Sequence, residues 1–158
     1  MHIDSNDIDQ LIQAHVQKPE KVYVYKAGVQ GNTVNDQLAF KATWSWWAFL
    51  GGWAFFLYRK MYLQAAIFFV LSLCTTIIPF GWIILSIASG MSAFYFYAQK
   101  FQKDLLIAQY GQKPIEDVNQ TLQYLGGYHS WVTVVAIIYY GFIALFAVPV
   151  LLATLAIN

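Results

Sequence analysis

Residues 61–99 read MYLQAAIFFVLSLCTTIIPFGWIILSIASGMSAFYFYAQ, 39 consecutive residues without a charge. A single helix of that length would reach about 58 Å at ~1.5 Å per residue, against a hydrocarbon core about 30 Å thick. The tract must therefore turn, and Pro79-Phe80-Gly81 at its midpoint has the residues to do so. It reads as a hairpin of two spanning helices of about 18 residues each. A third span is expected over residues 131–158. No charge occurs from Ser130 to Asn158, Ser130 caps the start and Pro149 kinks the far end.

Composition agrees with that hairpin. The 158 residues are 59% hydrophobic and only 11% charged, whereas a soluble domain carries about 25% charged residues. Net charge is +1, so the balance of charge points to no nucleic-acid partner. Cys74 is the single cysteine, which excludes an intrachain disulfide. The first ten residues are polar and acidic and lack a basic region followed by an apolar run, so insertion is assigned to the internal helices.

Outside the hairpin the pattern divides the chain further. Residues 1–20 hold an amphipathic helix over 4–16, capped by Asp4 or Ser5, with Ile8, Leu11, Ile12 and Val16 on one stripe. Residues 21–43 are expected to form a small cytosolic β-hairpin. Its strands are Lys21 to Ala27 (KVYVYKA) and Gln37 to Thr43, on either side of a Gly- and Asn-rich turn. Residues 44–60 are Trp-rich, holding Trp44, Trp46, Trp47 and Trp53, and are broken by Gly51-Gly52. That segment is at the lower length limit for spanning and reads as interfacial or re-entrant. Residues 100–130 form a cytosolic helical segment. In it the second hairpin helix runs on towards Gly111, and a helix from Pro114 presents Ile115, Val118, Leu122 and Leu125 before Gly126-Gly127. The fold class is an all-α integral membrane protein with three transmembrane helices, the Trp-rich segment and the small β-hairpin.

Positive charges set the orientation. If residues 42–58 return to their own side, all nine Lys and Arg lie on one face; if they span, the split is five to four. Basic residues of short flanking segments gather on the cytoplasmic side, which favours the first arrangement. The N-terminus is then cytoplasmic and Asn158 outside, as for a multi-pass protein of the bacterial inner membrane.

From Ser45 to Met61 the chain resembles small bacterial membrane proteins sharing Domain of Unknown Function 2628. Ser45, Trp46, Ala48, Phe49, Gly52, Leu57, Tyr58, Arg59, Lys60 and Met61 carry the likeness in order and spacing. Trp53 stands where that family usually has Pro, and Phe55 where it has Trp. More weakly, the resemblance extends over residues 21 to 130. It implies this membrane architecture and no particular activity.

Arg59, the only arginine, and Lys60 are candidate anchors at lipid headgroups, together with Trp44, Trp46, Trp47 and Trp53. Ser86, Ser89, Gly90 and Ala93 allow close helix approach, within the hairpin or between copies. Tyr139 and Tyr140 lie at a depth where a phenol requires a partner, and Ser86 or Ser89 is the expected acceptor for one of them. No metal site is expected, since His2, Asp4, Asp7 and Asp9 are scattered acids around one histidine. No cofactor motif or catalytic arrangement stands out. The expected partners are membrane lipids, with a protein partner or self-association beside them.

These features suit a non-catalytic accessory or scaffold protein. An oligomeric passive pore or lipid-handling transporter is the alternative, lined by Gln64, Ser72, Thr75, Thr76, Ser86 and Ser89. A membrane-surface enzyme comes third. It requires two of Asp104, Glu116, Asp117 and His129 to converge on a cleft near Arg59.

Overall fold

The computed structural model describes residues 3, 7–34, 37–75, 78 and 80–157, with side chains up to Leu145 and at Pro149. Asp4, Ser5, His2, Thr76, Pro79 and Asn158, which entered the reading above, lie outside the described residues. The chain is mostly helical. Its apolar stripes decide how the short helices pack against the long ones.

Helix α1 (Ile8–Val16) buries Ile8, Leu11, Ile12 and Val16, the expected stripe, against α2 (Val22–Gly31) and α7 (Ile115–Leu125). Gln17, in the left-handed region at φ 56°, ends α1 by donating its N–H to the Gln13 carbonyl. On α7, Val118 and Leu122 are fully buried and face the same seam. Here the 3.6-residue period is sufficient to specify the structure.

The expected strand over residues 21–27 is instead helical: Lys21 ends a 3-10 turn and residues 22–27 are the first part of α2. Tyr25, Gly28 and Val29, spaced i, i+3 and i+4, are the buried residues, whereas Tyr23 and Val24 face outward. Tyr25 packs on Phe94 and Tyr97 with ring centres 5.7 and 4.4 Å apart. Burial of one helical face against two aromatic rings outweighs the strand preference of Val and Tyr, which is context-dependent. The glycine is required for the close approach: a Cβ on Gly28 would lie 2.5 Å from Phe94 Cδ1. The β-hairpin survives only as β1 (Thr33–Val34) and β2 (Gln37–Leu38), antiparallel with Thr33 opposite Leu38.

The Trp-rich segment forms two short helices, α3 (Trp46–Gly51) and α4 (Trp53–Tyr58). They break at Gly52, whose φ of +46° favours glycine. Ser45 caps α3 by accepting from the Ala48 N–H at 3.3 Å.

Helix α5 (Tyr62–Cys74) has 13 residues, about 20 Å of length, less than the thickness of the hydrocarbon core. The first arm of the expected hairpin is therefore shorter than sequence reading indicates, because a charge-free run does not mark where a helix stops. Helix α6 (Gly81–Ile107) has 27 residues and continues past Gln99 as expected. Helix α8 (Ser130–Ile157) contains Pro149. Among the described residues, two tracts are long and apolar enough to cross a membrane, α6 and the one ending in α8.

The charged end of the molecule is drawn together around α7. Lys60 Nζ donates to the Tyr124 carbonyl at 3.2 Å, and Lys100 Nζ to the Leu125 carbonyl at 3.1 Å. Two cations thus sit on the exposed carbonyls where the α7 dipole is negative.

Candidate functional site: a cationic cleft beside a buried histidine

Residues Tyr97, Lys100 and Asp104 are spaced i, i+3 and i+7 on α6, so they share one face. Against that face α1 places His15, which is 2% exposed. Its Nδ1 is 2.7 Å from Tyr97 Oη and its Nε2 is 2.8 Å from Asp104 Oδ2. Lys100 Nζ pairs with the same Asp104 oxygen. The carboxylate can only accept, so Nε2 carries the proton and Nδ1 accepts from the tyrosine. Phe101 closes the pocket edge-on to the imidazole at 5.3 Å.

Burial lowers the His15 pKa from its ordinary 6.5. The hydrogen bond to Asp104 opposes that effect, while the positive charges of Lys100 and Arg59 add to it. With Lys100 already compensating the carboxylate, the imidazole stays neutral. A group depressed in the folded state contributes stability above its unfolded pKa, and that stability is lost as pH falls through the folded value. The thermal midpoint in detergent, followed by tryptophan fluorescence, is therefore expected to fall below pH 6.5. The His15→Gln variant should lack most of that slope. A wild-type midpoint that rises on acidification would contradict the assignment.

Beside this network a cleft of 390 Å³ opens between α2, α3, α4 and the start of α8. Arg59 forms part of its wall and is only 4% exposed, so it is not a surface anchor. Its Nη1 donates to the Val16 carbonyl at 3.2 Å. Its guanidinium carbon lies 4.3 Å from the centre of the Tyr25 ring and 5.6 Å from that of Tyr58. Arg59 Nε is buried and has no hydrogen-bond partner among the described residues. Burial raises the pKa of Tyr25, and the neighbouring guanidinium opposes the rise.

Two lysines complete the cationic side. Lys18 Nζ is 4.4 Å from the Tyr128 ring centre, and the neighbouring Tyr58 hydroxyl raises its pKa. Lys21 Nζ lies 6.0 Å from the Trp47 ring centre. Among the described residues no carboxylate lines the cleft, and none pairs with these three cations. The chemistry on offer is anion attraction beside an apolar wall.

The other expected site residues fall elsewhere. Trp44, Trp46 and Trp47 project outward, whereas Trp53 packs between Phe69 and Tyr139. Lys60 caps α7 rather than facing outward alone. Ser89, Gly90 and Ala93 are fully or almost fully buried, and at Ser89 and Gly90 the element admitted is α3 with the turn before it. There Ser89 Oγ donates to the Ala48 carbonyl at 2.8 Å and the Ser45 N–H donates to the Gly90 carbonyl at 3.0 Å.

Tyr140 does bond across helices, but its acceptor is the Gly51 carbonyl at 3.0 Å, not Ser86 or Ser89. The break at Gly52 leaves that α3 carbonyl without an intrahelical donor, and the phenol supplies one. Tyr139 packs on Trp53 instead. Ser72, Thr75 and Ser86 line a second cleft of 460 Å³ with both tyrosines.

Asp104, Glu116, Asp117 and His129 do not meet near Arg59, and none of them lines its cleft. Asp104 turns to His15, and His129 Nε2 lies 2.7 Å from Tyr62 Oη. Sequence reading overlooked His15, although it sits three and four residues after Ile12 and Leu11, on the edge of their stripe. No family model, curated protein or solved structure matches the chain.

Proposed function

We propose that the chain is a non-catalytic multi-pass protein of the bacterial inner membrane, an accessory or scaffold subunit contacting lipid and a protein partner. One observation carries this reading: the most apolar stretch of the tract ending in α8 is only 6% buried. Val134, Ile137, Ile138, Phe142 and Leu145 all point outward from α8 and are more than half exposed. Such a surface is stable against hydrocarbon or another apolar helix, not against water. Lys60 and Lys100 meeting at the end of α7 supports a cytoplasmic side that holds every basic residue, with Asn158 outside. The block that resembles Domain of Unknown Function 2628 belongs to the same proposal and corresponds to α3, the Gly52 break and α4.

The test is extraction of membranes from cells making the full chain. The chain is expected to stay in the pellet through an alkaline carbonate wash and to be released by detergent. Release by carbonate, or good behaviour in buffer without detergent, would overturn the proposal.

A second reading, lipid handling, is favoured by the 460 Å³ cleft where Ser72, Thr75 and Ser86 converge with Tyr139 and Tyr140. Ser89, committed to Ala48, is not part of it. Accelerated movement of a fluorescent phospholipid between leaflets of reconstituted vesicles would support this reading over the scaffold.

A further inference from the structure

The cleft at Arg59 has features that a structural contact does not require. Among the described residues three cations and no carboxylate line it, and one of the cations is a buried guanidinium whose Nε has no acceptor there. The guanidinium, held by the Val16 carbonyl and the Tyr25 ring, keeps its positive charge fixed in the cleft wall for an incoming anion. Much of the remaining lining is apolar, including Ala54, Phe94, Val132 and Ala136. An anionic head with a hydrocarbon stem satisfies both parts of the lining. The volume of 390 Å³ is at the small end of ligand sites, about 300–1,000 Å³. It takes a headgroup and the first methylenes, while longer tails leave through the open mouth.

We propose that this cleft seats one anionic phospholipid of the surrounding bilayer. Its phosphate lies among Lys18, Lys21 and Arg59, and its glycerol end runs along Phe94 and Val132. The inference rests on the membrane reading above and adds a ligand class and a site to it. Selection arises from charge: a choline headgroup would bring a fourth cation among three, whereas a glycerol headgroup leaves the lipid net negative.

The experiment is native mass spectrometry of the full chain in detergent, offered phosphatidylglycerol and phosphatidylcholine in equal amounts. The wild type is expected to retain one phosphatidylglycerol in preference to phosphatidylcholine. In Lys18→Gln/Lys21→Gln the preference is expected to drop by about tenfold or more. Arg59→Lys keeps the charge but loses the planar donor set, so retention should fall there too. The lysine pair carries the test if the arginine variant does not fold.

Equal retention of the two lipids by the wild type, or a preference that survives the lysine variant, would overturn the proposal. Displacement of the bound lipid by inorganic phosphate or glycerol phosphate at comparable concentration would overturn it as well, assigning the cleft to a soluble anion. Carbonate extraction reads the membrane proposal separately, so failure of one is distinguishable from failure of the other.

Discussion

Replacing Asp104 with alanine is expected to lower stability by about 3 kcal/mol, the range found when one member of a buried ion pair is removed. Asp104 is 6% exposed and accepts from both His15 Nε2 and Lys100 Nζ. Without it, a fully desolvated imidazole N–H and a largely buried ammonium lose their common acceptor. Lys100 retains the Leu125 carbonyl, but His15 has only Tyr97. The loss should reach beyond α6, because His15 belongs to α1 and Leu125 to α7. Tryptophan-detected unfolding in detergent checks the magnitude. Asp104→Asn, which keeps a carbonyl oxygen at the site, should cost less than alanine. An alanine variant as stable as the wild type would mean that the three helices are held by apolar packing alone.

The second large effect is expected at Gly126. A Cβ there would lie 2.4 Å from the His15 carbonyl oxygen and 2.8 Å from that of Leu122, both backbone atoms that cannot rotate away. The next residue, Gly127, donates its N–H to the same His15 carbonyl at 2.7 Å. Gly126→Ala therefore pushes the end of α1 off the end of α7, at a cost of about 2–3 kcal/mol for overpacking. Limited proteolysis should then cut the connection at Gln17–Lys18 faster than in the wild type. Gly31→Ala is the control. Outside its own helix and chain neighbours no described heavy atom lies within 4 Å of its Cβ position, and helix propensity favours alanine by up to about 1 kcal/mol. If both substitutions behave alike, the α1–α7 junction is not as close as described.

Legibility in the sequence followed the range of the interaction. The stripes of α1 and α7 could be read because Ile8, Leu11 and Ile12, and Val118 and Leu122, are apolar positions amid polar ones. Helix α2 could not, since Val22 to Tyr25 are all strand formers and the deciding partners, Phe94 and Tyr97, lie about 70 residues away on α6. The Gly52 break was legible from its glycine pair. The end of α5 was not, because the charge-free run continues past it.

The same division holds at the site. Arg59 stood out as the only arginine, but its burial depends on Val16 and Tyr25, neither adjacent to it in sequence. Lys18 and Lys21 read as ordinary flanking charges until α2 and α4 bring them to one cleft. One of Tyr139 and Tyr140 was assigned a serine partner by depth alone. Depth ignored that a broken helix exposes a carbonyl, and Gly51 offers one.

Sidedness is the most direct test of the account, read with a membrane-impermeant maleimide on intact and opened cells. In a Cys74→Ser background, single cysteines replace Glu20, Lys103 or Asn158. Glu20 and Lys103 are exposed positions before α2 and on α6. The cysteines at 20 and 103 are expected to react only after the cells are opened, and the one at 158 in intact cells. Cysteines at 20 and 103 reacting from opposite faces would contradict it, because the charged residues around α7 would then not share one aqueous side.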